Sequence, residues 1–205
     1  MLSQRMNAAL RLIPTWAAYP LGLLPLAFIC WDAVTGGLGA DPVKTLERHL
    51  GELALQFVVF GLAISPLCRI LRVNLTRFRR AVGLVTFAYV VLHLTVWVTL
   101  DLQMRWATIG AELVKRPYII VGMVGFLAMV PLAATSNNLS IRKMGTMAWR
   151  KLHQLTYVSA IAAAVHYLML VKATSIEPVL YAVVIGLLLI MRLARHLKTR
   201  NEGAI

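Results

Sequence analysis

At 205 residues, 60% hydrophobic and with a mean hydropathy of +0.75, the chain carries more apolar surface than a soluble domain of its size buries, so a multi-span membrane protein is the class that fits. The formal charge of +13 does not mark a nucleic-acid binder, because the basic residues fall in alternate loops between apolar runs. Cys30 and Cys68 form no CxxC or CxxCH, which argues against a zinc site, a thioredoxin motif or a c-type haem attachment; both read as small packing residues.

A spanning helix needs about 20 mostly apolar residues. Six runs qualify, near 16–34, 53–70, 81–100, 118–135, 152–171 and 178–191. The expected fold is an all-α six-helix transmembrane bundle, a single domain over residues 1–205. The first run is followed by further spans rather than by a cleavage site and a polar mature domain, so no cleavable leader is expected. Fifteen basic residues fall on one side: Arg5, Arg11, Arg69, Arg72, Arg77, Arg79, Arg80, Arg142, Lys143, Arg150, Lys151, Arg192, Arg195, Lys198 and Arg200. Six fall on the other: Lys44, Arg48, Arg105, Lys115, Arg116 and Lys172. This bias places both termini in the cytoplasm. The longest outer connections, 35–52 and 101–117, are too short for an independent domain. No GxGxxG or P-loop is present, so any soluble electron donor or acceptor is a separate protein.

Three histidines lie inside or at the edge of apolar runs, where an ionisable ring is costly and points to function. His93 is thirteen residues beyond Arg80, about 20 Å up the third span, and His166 is fifteen beyond Lys151, about 22 Å up the fifth. The two spans run in the same direction, so both rings reach one level in the outer half of the bilayer. Two imidazoles on neighbouring helices are what a b-type haem needs for its axial positions. The alternative is a pair of core histidines bonded to neighbouring helices. The small residues Ser159, Ala160 and Ala162–Ala164 before His166 suit either close approach of a flat ligand or tight helix packing. Tyr89 and Trp97, one turn on either side of His93, either wall a macrocycle or pack.

His153 lies low, near the inner boundary, and about 140° around the helix from His166. At its depth the third span offers Arg79 and Arg80 rather than a histidine. Either a flavin phosphate near those arginines or a haem with an unusual second ligand fits there, against an interfacial structural role. Arginine suits phosphate through its planar fork, although the 69–80 loop also serves orientation and lipid headgroups. His49 and His196 read as solvated.

The segment Lys115-Arg116-Pro117-Tyr118-Ile119-Ile120-Val121-Gly122 resembles a signature of the MsrQ (formerly YedZ) family. So do Phe126-Leu127, Pro131-Leu132-Ala133-Ala134-Thr135-Ser136 and Trp149-Arg150-Lys151-Leu152-His153-Gln154-Leu155-Thr156-Tyr157. Leu62-Ala63-Ile64-Ser65-Pro66-Leu67 and Arg79-Arg80-Ala81-Val82-Gly83-Leu84 fit too. The resemblance spans essentially the whole chain. It implies a bacterial inner-membrane electron-transfer subunit with a ferric reductase-like or NADPH oxidase-like transmembrane domain, binding b-type haem, one or two, and FMN. It implies a periplasmic molybdopterin partner, MsrP-like, on which the sulfoxide chemistry takes place, and a cytoplasmic NAD(P)H flavin reductase or the quinone pool as donor. His93, His153 and His166 match the family's membrane histidines. The related oxidases carry two histidines on the span equivalent to the third; here only His93 stands there, which leaves room for flavin on the inner side. A quinol-linked cytochrome b is the alternative redox reading. A non-redox transporter or assembly factor is disfavoured because the spans hold almost no acid and few central breaks.

Overall fold

The computed structural model describes residues 2–170 and 175–202, with their side chains except those of 2, 3, 196 and 199–202. Val171, Lys172 and the His196 and Arg200 side chains lie outside the described residues. Among the described residues all regular structure is helical. In order the α-helices are α1 (Leu2–Leu12), α2 (Ala18–Thr35), α3 (Pro42–Ile70), α4 (Arg79–Val96), α5 (Trp106–Lys115), α6 (Pro117–Ala134), α7 (Asn138–Met144), α8 (Thr146–Leu152), α9 (Leu155–Leu170) and α10 (Glu177–Glu202). A π-helical turn, Trp97–Asp101, continues α4.

Five helical stretches are long and apolar enough to cross a membrane: Thr15–Thr35, Pro42–Ile70, Thr76–Asp101, Pro117–Ala134 and Glu177–Arg195. The chain is a multi-pass membrane protein. The expected fifth span corresponds to α9, which has 16 residues and is shorter than these. Two connections read as loops are partly helical. α3 starts at Pro42 because Asp41 caps it, its Oδ1 accepting the Lys44 N–H at 3.1 Å, and proline suits the first helical position. The polar residues from Lys44 to Glu52 hid this start. The 101–117 connection holds α5, whose apolar side buries Ile109.

α3 packs along α4, and α6 along α9; α4 meets α6, and α3 meets α9. α2 lies against α4, and α10 against α9 and α3. The interior combines large side chains such as Leu50, Leu62, Ile64 and Ile185 with small residues that let helices approach closely, while many large apolar side chains face outward, as expected where lipid replaces water. Gly22, Ala54, Gly125, Ala160, Ala162 and Ala164 are buried, while Leu21, Phe28, Trp31, Leu187 and Ile190 are exposed. Tyr89 is fully buried, donates to the Gly22 carbonyl at 3.0 Å and stacks on Phe57. It therefore fastens α2 to α4. Cys30 is exposed on α2, and Cys68 accepts the Leu75 N–H at 3.2 Å.

Asn7 ties α1 to the α3–α4 loop, donating to the Arg72 carbonyl and accepting from the Asn74 N–H. Arg77 donates to the Leu10 carbonyl at 3.0 Å.

Candidate functional site

His93 and His166 sit in the same local arrangement, each on one member of a tightly packed helix pair. His93 Nδ1 lies 2.9 Å from the Glu47 carbonyl oxygen on α3. His166 Nδ1 lies 2.7 Å from the Tyr118 carbonyl oxygen on α6. A carbonyl only accepts, so each Nδ1 carries the proton and each Nε2 keeps its lone pair. That is the tautomer a metal-ligating histidine needs, with its orientation fixed by the second nitrogen.

One helical turn beyond each acceptor stands a glycine. A Cβ on Gly51 would lie 3.1 Å from His93 Cε1, and one on Gly122 would lie 2.8 Å from His166 Nδ1. The rings thus lie flat against bare backbone at the i+4 position from their carbonyl partners. Both are half-buried. Tyr118 meets the His166 ring edge-on, with centroids 5.8 Å apart.

The N-terminal ends of both acceptor segments carry ion pairs. Lys44 bonds Asp101 at 2.6 Å and Glu47 at 3.5 Å. Arg116 bonds Glu112 at 2.6 Å and donates to the Tyr118 hydroxyl at 3.0 Å. Asp101, at the end of the π-helical turn, also acts on Arg116 through its charge.

Among the described residues no group of three or more His, Cys, Asp or Glu could hold a metal ion. Two histidines with an unencumbered Nε2 are too few for a bare ion, but they suffice for porphyrin iron, which brings four nitrogens of its own. The residues present therefore fit a b-type haem.

His153 stands apart from this pair. Thr135 gives its hydroxyl proton to the Pro131 carbonyl at 2.6 Å, so at 3.1 Å its oxygen accepts from His153 Nε2–H. The free nitrogen of His153 is therefore Nδ1, the reverse of the other two. Trp149 stacks on His153 with centroids 3.8 Å apart and donates to the Thr135 carbonyl. The Arg79 and Arg80 side chains diverge. Arg79 donates to the Ser65 hydroxyl on α3, whereas Arg80 donates to Asn138 Oδ1 at 3.1 Å at the start of α7. Trp97 is half-buried, and Tyr89 packs within the bundle.

Sequence reasoning missed the carbonyl acceptors, the two glycines and Arg192. Arg192 on α10 reaches back to α3, donating to the Leu62 carbonyl at 2.9 Å.

Residues 50–164 match the family described as ferric reductase like transmembrane component. Proteins named protein-methionine-sulfoxide reductase heme-binding subunit MsrQ, from Brucella ovis, Brucella abortus and Brucella melitensis, are each 44% identical over 189 residues, covering 92% of this chain and 86% of theirs. The likeness to these proteins covers 92% of the chain, and the chain belongs to the MsrQ family of haem-binding subunits, with a ferric reductase-like membrane domain.

Proposed function

We propose that this protein conducts electrons across a bacterial inner membrane to a periplasmic, MsrP-like molybdopterin subunit that reduces methionine sulfoxide. The observation that supports it most is the matched pair of imidazoles, both with Nδ1–H on a carbonyl and Nε2 unencumbered. His93 and His166 would hold one b-type haem near the periplasmic end. When bound, the haem would supply single-electron transfer. The chain's own part is positional. Glu47 and Tyr118 set the ring tautomers, Gly51 and Gly122 set their planes, and the apolar helices keep water away.

Six helices, α2, α3, α4, α6, α9 and α10, are assigned as spans, with both termini cytoplasmic as the lysine and arginine bias requires. On the inner side, the arginines opening α4 would hold FMN, which would supply the flavin chemistry that links the chain to a separate cytoplasmic NAD(P)H flavin reductase. Of the two arginines opening α4, Arg79 turns between helices and is assigned to the flavin phosphate, while Arg80 stays at the rim with Asn138. His153 borders this region and holds α8 against α6 through Thr135 and Trp149.

The test is spectroscopic. Purified protein should show a Soret band that shifts on reduction, and His93→Ala and His166→Ala should each lose most of the bound haem. Two variants with unaltered spectra would end the ligand assignment.

A further inference from the structure

Arg192 and Arg79 come from different helices and dock on one turn of α3. Arg192 donates through Nη2 to the Leu62 carbonyl at 2.9 Å and sits 3.5 Å from that of Gly61. Arg79 donates to Ser65, three residues after Leu62. The acceptor exists because Pro66 lies inside α3 and has no N–H, so the Leu62 carbonyl has no helical donor. The Arg192 guanidinium also lies over the Tyr157 ring, 5.6 Å from its centroid, and Arg79 interacts with the charges of both Arg192 and Tyr157.

Two like charges on one turn of α3 favour a counter-charge, and among the described side chains no acid bonds either of them. Seven of its eight acids, Asp32, Asp41, Glu47, Glu52, Asp101, Glu112 and Glu177, belong to the outer ends and loops. The eighth, Glu202, lies ten residues past Arg192, about 15 Å further along α10. Arg192 also keeps a buried Nε with no hydrogen-bond partner. A buried donor on an uncompensated cation is costly, and an anion between the two guanidiniums removes both costs.

We propose that Arg79 and Arg192 together form a phosphate-binding site at the inner end of the bundle, with Arg192 as its second limb. The paired planar forks match phosphate oxygens bidentately. The phosphate belongs either to flavin mononucleotide, in which case the site rests on the reading above, or to an anionic membrane phospholipid.

The test compares wild type, Arg79→Gln, Arg192→Gln and Arg80→Gln, each purified with haem, for flavin and phospholipid per chain. Losing a charge-assisted pair of bonds should lower retention by about tenfold or more in the Arg79 and Arg192 variants. Arg80→Gln should retain the ligand, and all should keep the Soret band. If wild type carries no flavin but the Arg192 variant loses bound phosphatidylglycerol, the site stands and the flavin assignment falls. If both Arg79→Gln and Arg192→Gln keep wild-type flavin and phospholipid, the site is refuted while the haem reading is untouched. Should the variants fail to accumulate, wild type answers alone. FMN or phosphatidylglycerol should raise its melting temperature and riboflavin, which has no phosphate, should not; equal effects of FMN and riboflavin, with none from phosphatidylglycerol, would refute the site.

Discussion

Gly122 and His166 are in such close contact that a single methyl group on the glycine would stand 2.8 Å from the ring nitrogen that bonds the Tyr118 carbonyl. No real Cβ sits that close, so the ring must turn, and turning it breaks the bond that sets its tautomer. Gly122→Ala should therefore lower haem occupancy, at a cost of about 1–3 kcal/mol of overpacking. Gly51→Ala, where the nearest ring atom is 3.1 Å away, should do less. Gly186, with nothing within 4 Å, is the control. The ratio of haem to protein decides; full occupancy in Gly122→Ala would mean that the ring does not need this plane.

His153 should behave differently from its two counterparts. Its Nε2 is committed to Thr135 and its face to Trp149. His153→Ala should leave the Soret band intact while reducing stability by about 1–3 kcal/mol, since Thr135 and Trp149 lose a partner. Thermal unfolding in detergent with haem absorbance measured in parallel separates the two effects. Loss of a haem equivalent would instead make His153 a ligand.

The histidines stand out in the sequence because ionisable rings inside apolar runs are conspicuous, and the thirteen residues from Arg80 to His93 do run within α4, but the count from Lys151 to His166 crosses the break between α8 and α9, so neither its rise nor the angle between His153 and His166 follows from one helix. What fixes those rings was not legible. Glu47 and Tyr118 act through backbone carbonyls 46 and 48 residues away, and backbone groups carry no sequence signal. Gly51 and Gly122 look like ordinary small residues until the neighbouring helix is placed. Arg192 read as one more cytoplasmic orientation charge, since only the fold shows that Pro66 leaves it a carbonyl. The α3 start was missed for a local reason: the polar Lys44–Glu47 pair interrupts the apolar run, although Asp41 and Pro42 spell out a helix cap.

Asp101 tests whether the outer ion pairs tune the site. It bonds Lys44, three residues before the Glu47 carbonyl that holds His93, and acts electrostatically on Arg116, two residues before Tyr118. Lys44 is 53% exposed, so screening by solvent limits the pair to about 0–1 kcal/mol of stability. Asp101→Asn should thus fold normally but change the low-spin electron paramagnetic resonance spectrum of the ferric haem, because the His93 ring is less firmly held. An identical spectrum would confine Asp101 to a surface role.

Pro66 offers the most specific check on the inner site. Replacing it by Ala restores an N–H that bonds the Leu62 carbonyl within α3, in competition with Arg192. A carbonyl has two lone pairs and can accept both donors, so the loss is partial. Pro66→Ala should weaken retention of the phosphate ligand by about two- to fivefold, well short of the loss expected for Arg192→Gln. The helix itself gains a bond and loses a ring's packing, so stability should move by no more than about 1 kcal/mol either way. Equilibrium titration with FMN on the haem-loaded protein reads the affinity directly. An unchanged affinity would mean that Arg192 is held by Tyr157 and the Gly61 carbonyl alone, with the proline gap in α3 playing no part.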